Sequence, residues 1–286
     1  MTYIVSKSSW FHAPASGRGT SVIALHGSAS TSAQWRSLIG WLGGHYRIIT
    51  PDLPGYGGSK HVDGNDVPTL EEIANAVFSI TEGCGEPVHL VGHSFGGAVA
   101  LKIASMFPGM VRSLTLIEPA AFNAIWTDTG MSAASTNEFV GAVRSSQEAM
   151  DMGDSDGAMR HFIDYWVGAG AWDRTSPSMQ QKLAGKTGQI HKDFAALAMD
   201  QFTNWDADGV VCPVLCITGT ETAREMASIV AALKAKIPFM RCEEIEGAGH
   251  MVSMTDPHVV DPMIGDFLAQ VDRGWQDEGA ATSLAA

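Results

Sequence analysis

The chain has little positive charge: 18 Lys and Arg residues stand against 31 Asp and Glu, which gives its 286 residues a formal net charge of −13. Nucleic acids and anionic membranes bind clustered Lys and Arg side chains, so this composition argues against both as partners. The sequence also has no apolar run long enough to span a bilayer and no secretory signal at its start. We therefore expect a cytoplasmic protein.

Cysteine is scarce as well, and none of the four residues (Cys84, Cys212, Cys216, Cys242) forms a Cys-x-x-Cys pair. Their positions in or beside apolar stretches predict buried free thiols. The sequence shows neither metal-ligand spacing nor a glycine-rich dinucleotide loop, so we expect no metal and no cofactor. Hydrophobic residues make up 45% of the chain, enough for the core of a large α/β domain with an insertion.

The most informative segment is residues 92–96, which read Gly-His-Ser-Phe-Gly. This matches the Gly-x-Ser-x-Gly nucleophile elbow. A β-rich apolar run precedes it at residues 87–91, and a small-residue apolar helix follows at residues 97–104. The strand-turn-helix setting makes the motif informative, because a strained turn that presents a serine needs small neighbours. The pattern predicts Ser94 as a nucleophile.

Strand-like and helical segments alternate through most of the chain. We expect strands in residues 20–25, 46–50, 87–91, 111–117, 210–218 and 239–245. Alternation of this kind predicts right-handed βαβ units around a parallel sheet covered on both faces. Thr69 and Glu72 form a predicted capping box, and Asp256-Pro257 is the predicted start of the last helix.

Residues 122–205 interrupt this alternation. They are helical in pattern, rich in Met and aromatic residues, and contain no convincing strand. We therefore predict an α/β core in residues 1–121 and 206–272 with a helical insertion at 122–205. The Gly- and Ala-rich tail at 273–286 is expected to be disordered.

Four blocks in fixed order carry a resemblance to a known family. They are His-Gly-Ser at 26–28, Asp-Leu-Pro-Gly-Tyr-Gly-Gly-Ser at 52–59, the elbow with its second glycine at 92–97, and Gly-Ala-Gly-His-Met at 247–251. With them the chain resembles the α/β-hydrolase superfamily over nearly its whole length. The resemblance implies an eight-stranded, mostly parallel sheet with helices on both faces, and it makes the helical insertion a cap over the active site.

Serine needs a general base within hydrogen-bond reach and a third group that orients that base. His250, in the last block, is the candidate base, and it follows the serine in the order that this fold uses. Most relatives carry the acid in a Gly-x-x-Asp pattern, but residues 219–222 read Gly-Thr-Glu-Thr. Thr222 cannot stabilise an imidazolium by charge. We favour Glu118, at a strand end where some branches of the superfamily place the acid, and keep Glu221 as the alternative.

The backbone N–H groups of Phe95 and Ser28 are the expected oxyanion-hole donors, and the loss of one such donor can cost about 3 kcal/mol. The aromatic insertion predicts an apolar cleft for a small acyl substrate. We expect the cleft to be lined by Phe122, Trp126, Tyr165 and Trp166, although many aromatic residues of the insertion will simply hold it together.

These residues predict a carboxylesterase-like serine hydrolase that acts through an acyl-enzyme on Ser94. The resemblance leaves three alternatives open. They are a carbon–carbon bond hydrolase of meta-cleavage products, a cofactor-free oxygenase or perhydrolase, and a non-catalytic ligand receptor. Fold alone does not choose among them, and Thr222 at the usual acid position slightly favours the receptor.

Overall fold

The structure, a computed structural model, describes residues 2–3, 11–60, 67–125, 133–200 and 209–284. Within these ranges, eight strands form one sheet. They are β1 (Thr2–Tyr3), β2 (Pro14–Gly17), β3 (Ser21–Leu25), β4 (Arg47–Ile49), β5 (Val88–His93), β6 (Val111–Ile117), β7 (Val214–Gly219) and β8 (Arg241–Ile245). Their order in the sheet is β1-β2-β4-β3-β5-β6-β7-β8. The strands from β3 to β8 pair in parallel, whereas β2 is antiparallel to both of its neighbours.

Helices follow each of the parallel strands. They are α1 (Arg36–Leu42), α2 (Leu70–Glu82), α3 (Phe95–Met106), α4 (Ala133–Asp151), α5 (Ser155–Val167), α6 (Ala171–Arg174), α7 (Pro177–Ala184), α8 (Thr187–Met199), α9 (Glu225–Lys236), α10 (Val252–Thr255) and α11 (Pro257–Leu284). In the described part of the chain, α4 to α8 all lie between β6 and β7. The exact limits of core and insertion, at 121/122 and 205/206, stay predictions.

The sheet is buried on both faces, and alternate residues of each strand face opposite layers. In β3, Ile23 and Leu25 pack into the layer that contains α2, α3 and α9. Val22 and Ala24 pack against α1 and α11 on the other face. This double burial explains why the strands read as continuous apolar runs. The mostly parallel eight-stranded sheet with helices on both faces, which the sequence predicts, is confirmed.

Two edge elements escaped the sequence prediction. Segment 14–17 reads Pro-Ala-Ser-Gly and has no β-branched or aromatic residue, yet it forms β2. It is a strand because it pairs with β4, with Ala15 opposite Ile49. Its partner β1 extends the sheet in the same antiparallel sense. Long-range pairing, which leaves no local signal, decides both elements.

Both predicted helix starts are present: Thr69 and Glu72 form the reciprocal capping box of α2, and α11 begins at Pro257. The tail differs from our expectation, because α11 continues to Leu284 where composition indicated disorder from residue 273. Ala, Gln and Glu in this segment favour helix. The Arg112 guanidinium also lies 4.8 Å from the ring centre of Trp275, which attaches this part of α11 to β6.

All four cysteines are free thiols. Cys212 and Cys216 are buried as expected, whereas Cys242 is exposed because β8 lies at the edge of the sheet. Across the described ranges, the structure contains no helix with both the length and the apolar character that crossing a membrane requires.

Candidate active site

The turn between β5 and α3 holds Ser94 at φ +53°, in the left-handed region that side chains rarely adopt. Its backbone N–H donates to the Ile117 carbonyl at 3.0 Å, which ties the turn to β6. Gly92 and Gly96 make this approach possible. A Cβ on Gly92 would collide with the Gly96 carbonyl, and a Cβ on Gly96 would collide with the Leu25 carbonyl. The small neighbours are thus a steric requirement of the turn.

Three side chains that are far apart in the sequence form one hydrogen-bonded series. Ser94 Oγ lies 3.0 Å from His250 Nε2, and His250 Nδ1 lies 3.2 Å from Glu118 Oε2. Their exposed fractions are 8%, 4% and 0%, so the series is shielded from water. With Nδ1–H donating to the carboxylate, Nε2 is free to accept the serine proton. This is the order of contacts that activates a serine.

Glu118 lies where the ends of β6 and β7 meet. Its Oε1 accepts the Gly219 N–H at 2.8 Å, and its Oε2 accepts the Thr222 hydroxyl at 2.5 Å. Thr222, at the position where the family pattern carries Asp, therefore donates to the carboxylate that faces His250. The alternative acid, Glu221, has an exposed side chain, and its backbone N–H donates to Ala248.

The loop that carries His250 is fixed from below by His93. The Nε2–H of His93 donates to the backbone carbonyl of His250 at 2.9 Å. Burial lowers the pKa of His93 to about 3, so this ring is neutral at the pH of most assays. Its role is to hold the loop, as its place inside the elbow suggests.

The residues predicted to bind substrate have different environments. The ring of Trp166 stacks on His250 with 4.0 Å between ring centres, and Tyr165 Oη donates to Glu225 Oε2 at 2.7 Å. Phe122 is buried and stacks on Phe139 at 3.9 Å. Trp126 lies outside the described residues. Of the four, Trp166 is therefore in direct contact with the hydrogen-bonded series.

The loop after β3 lies against the nucleophile. A Cβ built on Gly27 would lie 3.1 Å from the Cβ of Ser94. His26 supports the loop as a neutral ring: its Nδ1–H donates to the Gly27 carbonyl at 2.8 Å, its Nε2 accepts the Leu53 N–H at 2.9 Å, and burial lowers its pKa to about 4. In the described part of the chain, neither Ser28 nor Phe95 donates its backbone N–H to another group.

Asp193, on α8, contacts this loop and was missed by sequence reasoning. Its Oδ2 accepts the hydroxyls of Ser28 and Tyr56, each at 2.6 Å, and its Oδ1 accepts the Gln189 amide at 3.0 Å. The side chain is buried, and burial raises its pKa to about 7. The available signal was a carboxylate at a core position of a helix whose other buried residues include Ile190 and Leu197.

A small cavity lies among α4, α5 and α8. Its free volume is about 20 Å³, which is room for roughly one water molecule. Trp166 lines the cavity on one side and stacks on His250 with its ring. The lining side chains that the structure describes include no Lys or Arg; they are Phe139, Ala142, Val143, Ser146, Phe162, Tyr165, Trp166, Ile190, His191 and Phe194.

The chemistry of this site follows from its groups. It combines a hydroxyl nucleophile, a base oriented by a carboxylate, and two backbone donors at one edge of the sheet, which suits nucleophilic attack on a carbonyl carbon. Among the described side chains, no group of three or more His, Cys, Asp or Glu residues is placed to hold a metal ion.

Comparison with known proteins gives consistent matches. Residues 22–262 match the model of the alpha/beta hydrolase family. A pimeloyl-[acyl-carrier protein] methyl ester esterase of Methylococcus capsulatus is 40% identical over 102 residues, which cover 36% of this chain and 38% of that protein. The chain therefore spans well under half of this relative's length.

Two further matches cover nearly the whole chain. An (E)-2-((N-methylformamido)methylene)succinate hydrolase of Acinetobacter baylyi is 23% identical over 257 residues, which cover 88% of this chain and 91% of that protein. A solved structure of a thermophilic esterase from Thermogutta terrifontis has a TM-score of 0.69 at 22% identity, over 91% of this chain and 93% of that one. At this identity, the structural match shows a shared fold.

Proposed function

Since the chain belongs to the alpha/beta hydrolase family, we propose that it is a serine hydrolase that cleaves an uncharged carboxylic ester or a related acyl substrate. The observation that carries the proposal is the hydrogen-bonded series from Ser94 through His250 to Glu118, with distances of 3.0 and 3.2 Å. A receptor without catalysis would have no need to bury a carboxylate against an imidazole at this point.

The reaction begins when His250 Nε2 takes the proton of Ser94 as its Oγ attacks the carbonyl carbon. The N–H groups of Ser28 and Phe95 donate to the oxyanion of the tetrahedral intermediate, and the N-terminus of α3 favours the same negative charge. The intermediate collapses, and His250 gives its proton to the leaving alcohol. The Glu118 carboxylate stabilises the imidazolium by its charge.

The second half of the reaction repeats these steps with water. His250 takes a proton from a water molecule, whose oxygen attacks the acyl-enzyme ester on Ser94. The same N–H groups stabilise the second oxyanion. When that intermediate collapses, Ser94 Oγ leaves and recovers its proton from His250, which releases the carboxylic acid.

The helices α4 to α8 form the proposed cap, and the apolar cavity within it is the proposed acyl pocket. Trp166 lies between this cavity and His250, and the free volume is small, so an entering substrate must displace its ring. Tyr165 lines the same cavity, and Phe122 supports it from beneath through Phe139. We include Trp126 in the proposed cleft because of its position in the sequence.

A substrate that carries carboxylates is the second candidate, since the relative from Acinetobacter baylyi hydrolyses a succinate derivative. Recognition of a carboxylate favours an Arg or Lys in the pocket. The cavity lining contains neither, and the nearby Lys186 donates to the backbone carbonyl of Ala29 at 2.7 Å. The lining therefore favours an uncharged acyl group.

The decisive experiment is hydrolysis of a series of p-nitrophenyl esters from acetate to decanoate, with the p-nitrophenyl monoester of succinic acid as the charged comparison. We expect turnover of the uncharged esters and little of the succinyl ester. Ser94→Ala should abolish turnover, and a fluorophosphonate should label Ser94 alone, as read by peptide mapping. Ser105→Ala, which alters a hydroxyl that bonds within α3, is the matched control.

Two of the alternative functions, the receptor and the oxygenase, can be recognised when oxygen consumption and binding are measured beside turnover. Binding without turnover in the wild type would indicate a receptor, and consumption of oxygen would indicate an oxygenase. Full activity in Ser94→Ala, or a label on another serine, would contradict the mechanism proposed above.

A further inference from the structure

We propose that Asp193 is a positioning residue for the oxyanion hole: from α8, it holds the Ser28 hydroxyl and so fixes the direction of the Ser28 N–H. The inference rests on the proposed hydrolysis at Ser94. It assigns a role in the reaction to a cap residue that touches neither the substrate carbonyl nor the nucleophile.

The loop that contains Ser28 needs support because its backbone is strained. Within the described ranges, the non-glycine residues with positive φ are Ala29 at +62°, Ser94 at +53° and Glu118 at +46°. All three belong to the candidate site or its adjoining loop. Such conformations cost roughly 1–3 kcal/mol each and persist only where surrounding contacts hold them. For Ser94, the hydrogen bond to the Ile117 carbonyl of β6 is such a contact. The strained backbone of Ala29 needs contacts of its own.

Besides the bonds that His26 and the Ser30 N–H donate to the Gly27 carbonyl, two side chains of the insertion contact this loop. Asp193 accepts the Ser28 hydroxyl at 2.6 Å, and Lys186 donates to the Ala29 carbonyl at 2.7 Å. Consecutive loop residues, on either side of the peptide that links them, are thus contacted by α8 and by the residue that precedes it. Tyr56 donates to the same carboxylate oxygen at 2.6 Å, which fixes the carboxylate in turn.

Joining the cap to the core through a buried carboxylate costs desolvation free energy that an apolar contact does not. Leu197, on the same buried stripe of α8, joins them through apolar contact. Asp193 instead buries a charge whose three bonded partners, Ser28, Tyr56 and Gln189, are all neutral. The elevated pKa reflects that cost. A residue needed only for packing would be apolar, so we attribute the carboxylate to its effect on the Ser28 loop.

It follows that engagement of the cap and assembly of the oxyanion hole are one event. In the structure α8 lies on the core, and Asp193 and Lys186 contact the loop beside Ser94. Without α8 in place, the loop keeps the hydrogen bond from His26 but loses those with Asp193 and Lys186. A substrate that closes the cap therefore completes the hole over its own carbonyl.

The test compares Asp193→Ala and Asp193→Asn with the wild type at pH 8, where the native carboxylate is ionised. Deleting an oxyanion donor lowers kcat by 10²–10³ in related chemistry, so a displaced donor should lower kcat by about 10- to 100-fold, with KM changed less than about threefold. Asp193→Asn keeps an oxygen acceptor for Ser28 and should stay within about tenfold of wild type.

A second pair of variants guards against misfolding and general loosening of the cap. Ser28→Ala removes only the hydroxyl partner and should reproduce the loss in kcat, while the double variant should be no worse than either single one. Asp154→Ala removes a different carboxylate of the insertion, one that accepts the Gly157 N–H at the N-terminus of α5. It should leave kcat within about threefold of wild type.

A pair of inhibitors distinguishes positioning of the oxyanion hole by Asp193 from a purely structural role of that residue. A trifluoromethyl ketone, which forms an oxyanion on Ser94, should lose affinity in Asp193→Ala in proportion to kcat/KM. A methyl ketone of the same chain length should bind almost unchanged. Wild-type kcat in Asp193→Ala or Ser28→Ala would overturn the inference, and so would equal losses for both ketones. Failure of the wild type to hydrolyse esters or to react with a fluorophosphonate would instead overturn the proposed function.

Discussion

Glu118 is held in place by hydrogen bonds to its side chain and from its backbone. Its carboxylate accepts hydrogen bonds from Gly219, Thr222 and His250, and its backbone N–H donates to Ile217 at 3.0 Å. These contacts leave the side chain little freedom, although its backbone lies in a strained region. A carboxylate fixed in this way can orient an imidazole without itself taking the proton.

The first prediction at this scale concerns the acid. Glu118→Gln should lower kcat by roughly 10³- to 10⁴-fold, because an amide cannot stabilise the imidazolium by charge. Thr222→Ala and Glu221→Gln should stay within about tenfold of wild type, since each leaves the carboxylate of Glu118 in place. Steady-state kinetics on the preferred ester, with thermal unfolding as the check on folding, measures all three.

The placement of Thr222 makes a rescue possible. Its hydroxyl lies 2.5 Å from Glu118 Oε2, so an Asp at 222 in the Glu118→Gln background would bring a carboxylate near His250. We expect partial recovery of kcat in Glu118→Gln/Thr222→Asp. If Glu118→Gln retains near-normal kcat while Glu221→Gln is inactive, the acid has been assigned to the wrong strand.

At the scale of elements, the inserted helices contact different parts of the candidate site. In α5, Trp166 covers His250 and Tyr165 bonds to Glu225 of α9. Asp193 of α8 and Lys186, which precedes that helix, contact the loop after β3, while Phe194 of α8 faces the cavity. The proposals above thus assign substrate size and oxyanion geometry to different residues of the same group of helices.

The second prediction tests the cavity as an acyl pocket. Phe194→Ala should enlarge it and raise the ratio of kcat/KM for octanoyl over butyryl esters by about tenfold, since each buried methylene contributes roughly 0.8 kcal/mol. Met179→Ala, which shortens an exposed side chain on α7, should leave the ratio unchanged. An unaltered chain-length profile in folded Phe194→Ala would place the acyl group elsewhere.

At the scale of the whole molecule, α11 is bonded to the sheet near the N-terminal ends of β5 and β6, whereas the candidate site lies at the C-terminal ends of these strands. Asp272 accepts hydrogen bonds from Arg112 at 2.7 Å, His89 at 3.3 Å and Tyr46 at 3.0 Å. Burial alone would raise the pKa of Asp272, but the hydrogen bonds from these partners lower it to about 2. The fastening therefore depends on an ionised carboxylate.

The third prediction follows from that pKa. A carboxyl group whose folded pKa lies below its unfolded value adds stability above about pH 4, and that stability is lost as the pH falls toward 2. Asp272→Asn should lower the free energy of unfolding by about 1–2 kcal/mol at pH 7, with the gap to wild type narrowing below pH 4. Urea unfolding across this range measures it.

Asp266→Asn, an exposed acid on the same helix, is the control for that measurement and should change stability by less than about 0.5 kcal/mol. A loss in Asp272→Asn that is equal at pH 7 and pH 3 would show that packing, rather than charge, fastens α11.

The sequence by itself determined the parts of this protein that leave a local signature. A strand that is buried on both faces needs a continuous run of apolar residues, so the parallel sheet from β3 to β8 could be predicted. A strained turn that presents a serine tolerates only small neighbours, so the segment around Ser94 could be recognised. Capping at Thr69 and the start of α11 at Pro257 are likewise local.

Tertiary structure alone decided the features whose partners lie far apart in the chain. Between Glu118 and Glu221, sequence spacing offered only a preference, and the meeting of the ends of β6 and β7 brings Glu118 beside His250. The strand β2 exists through its pairing with β4. Asp193 reaches Ser28 across 165 residues. Hydrogen bonds and strand pairs between distant segments impose no periodicity and no spacing on the sequence, so only the folded chain reveals them.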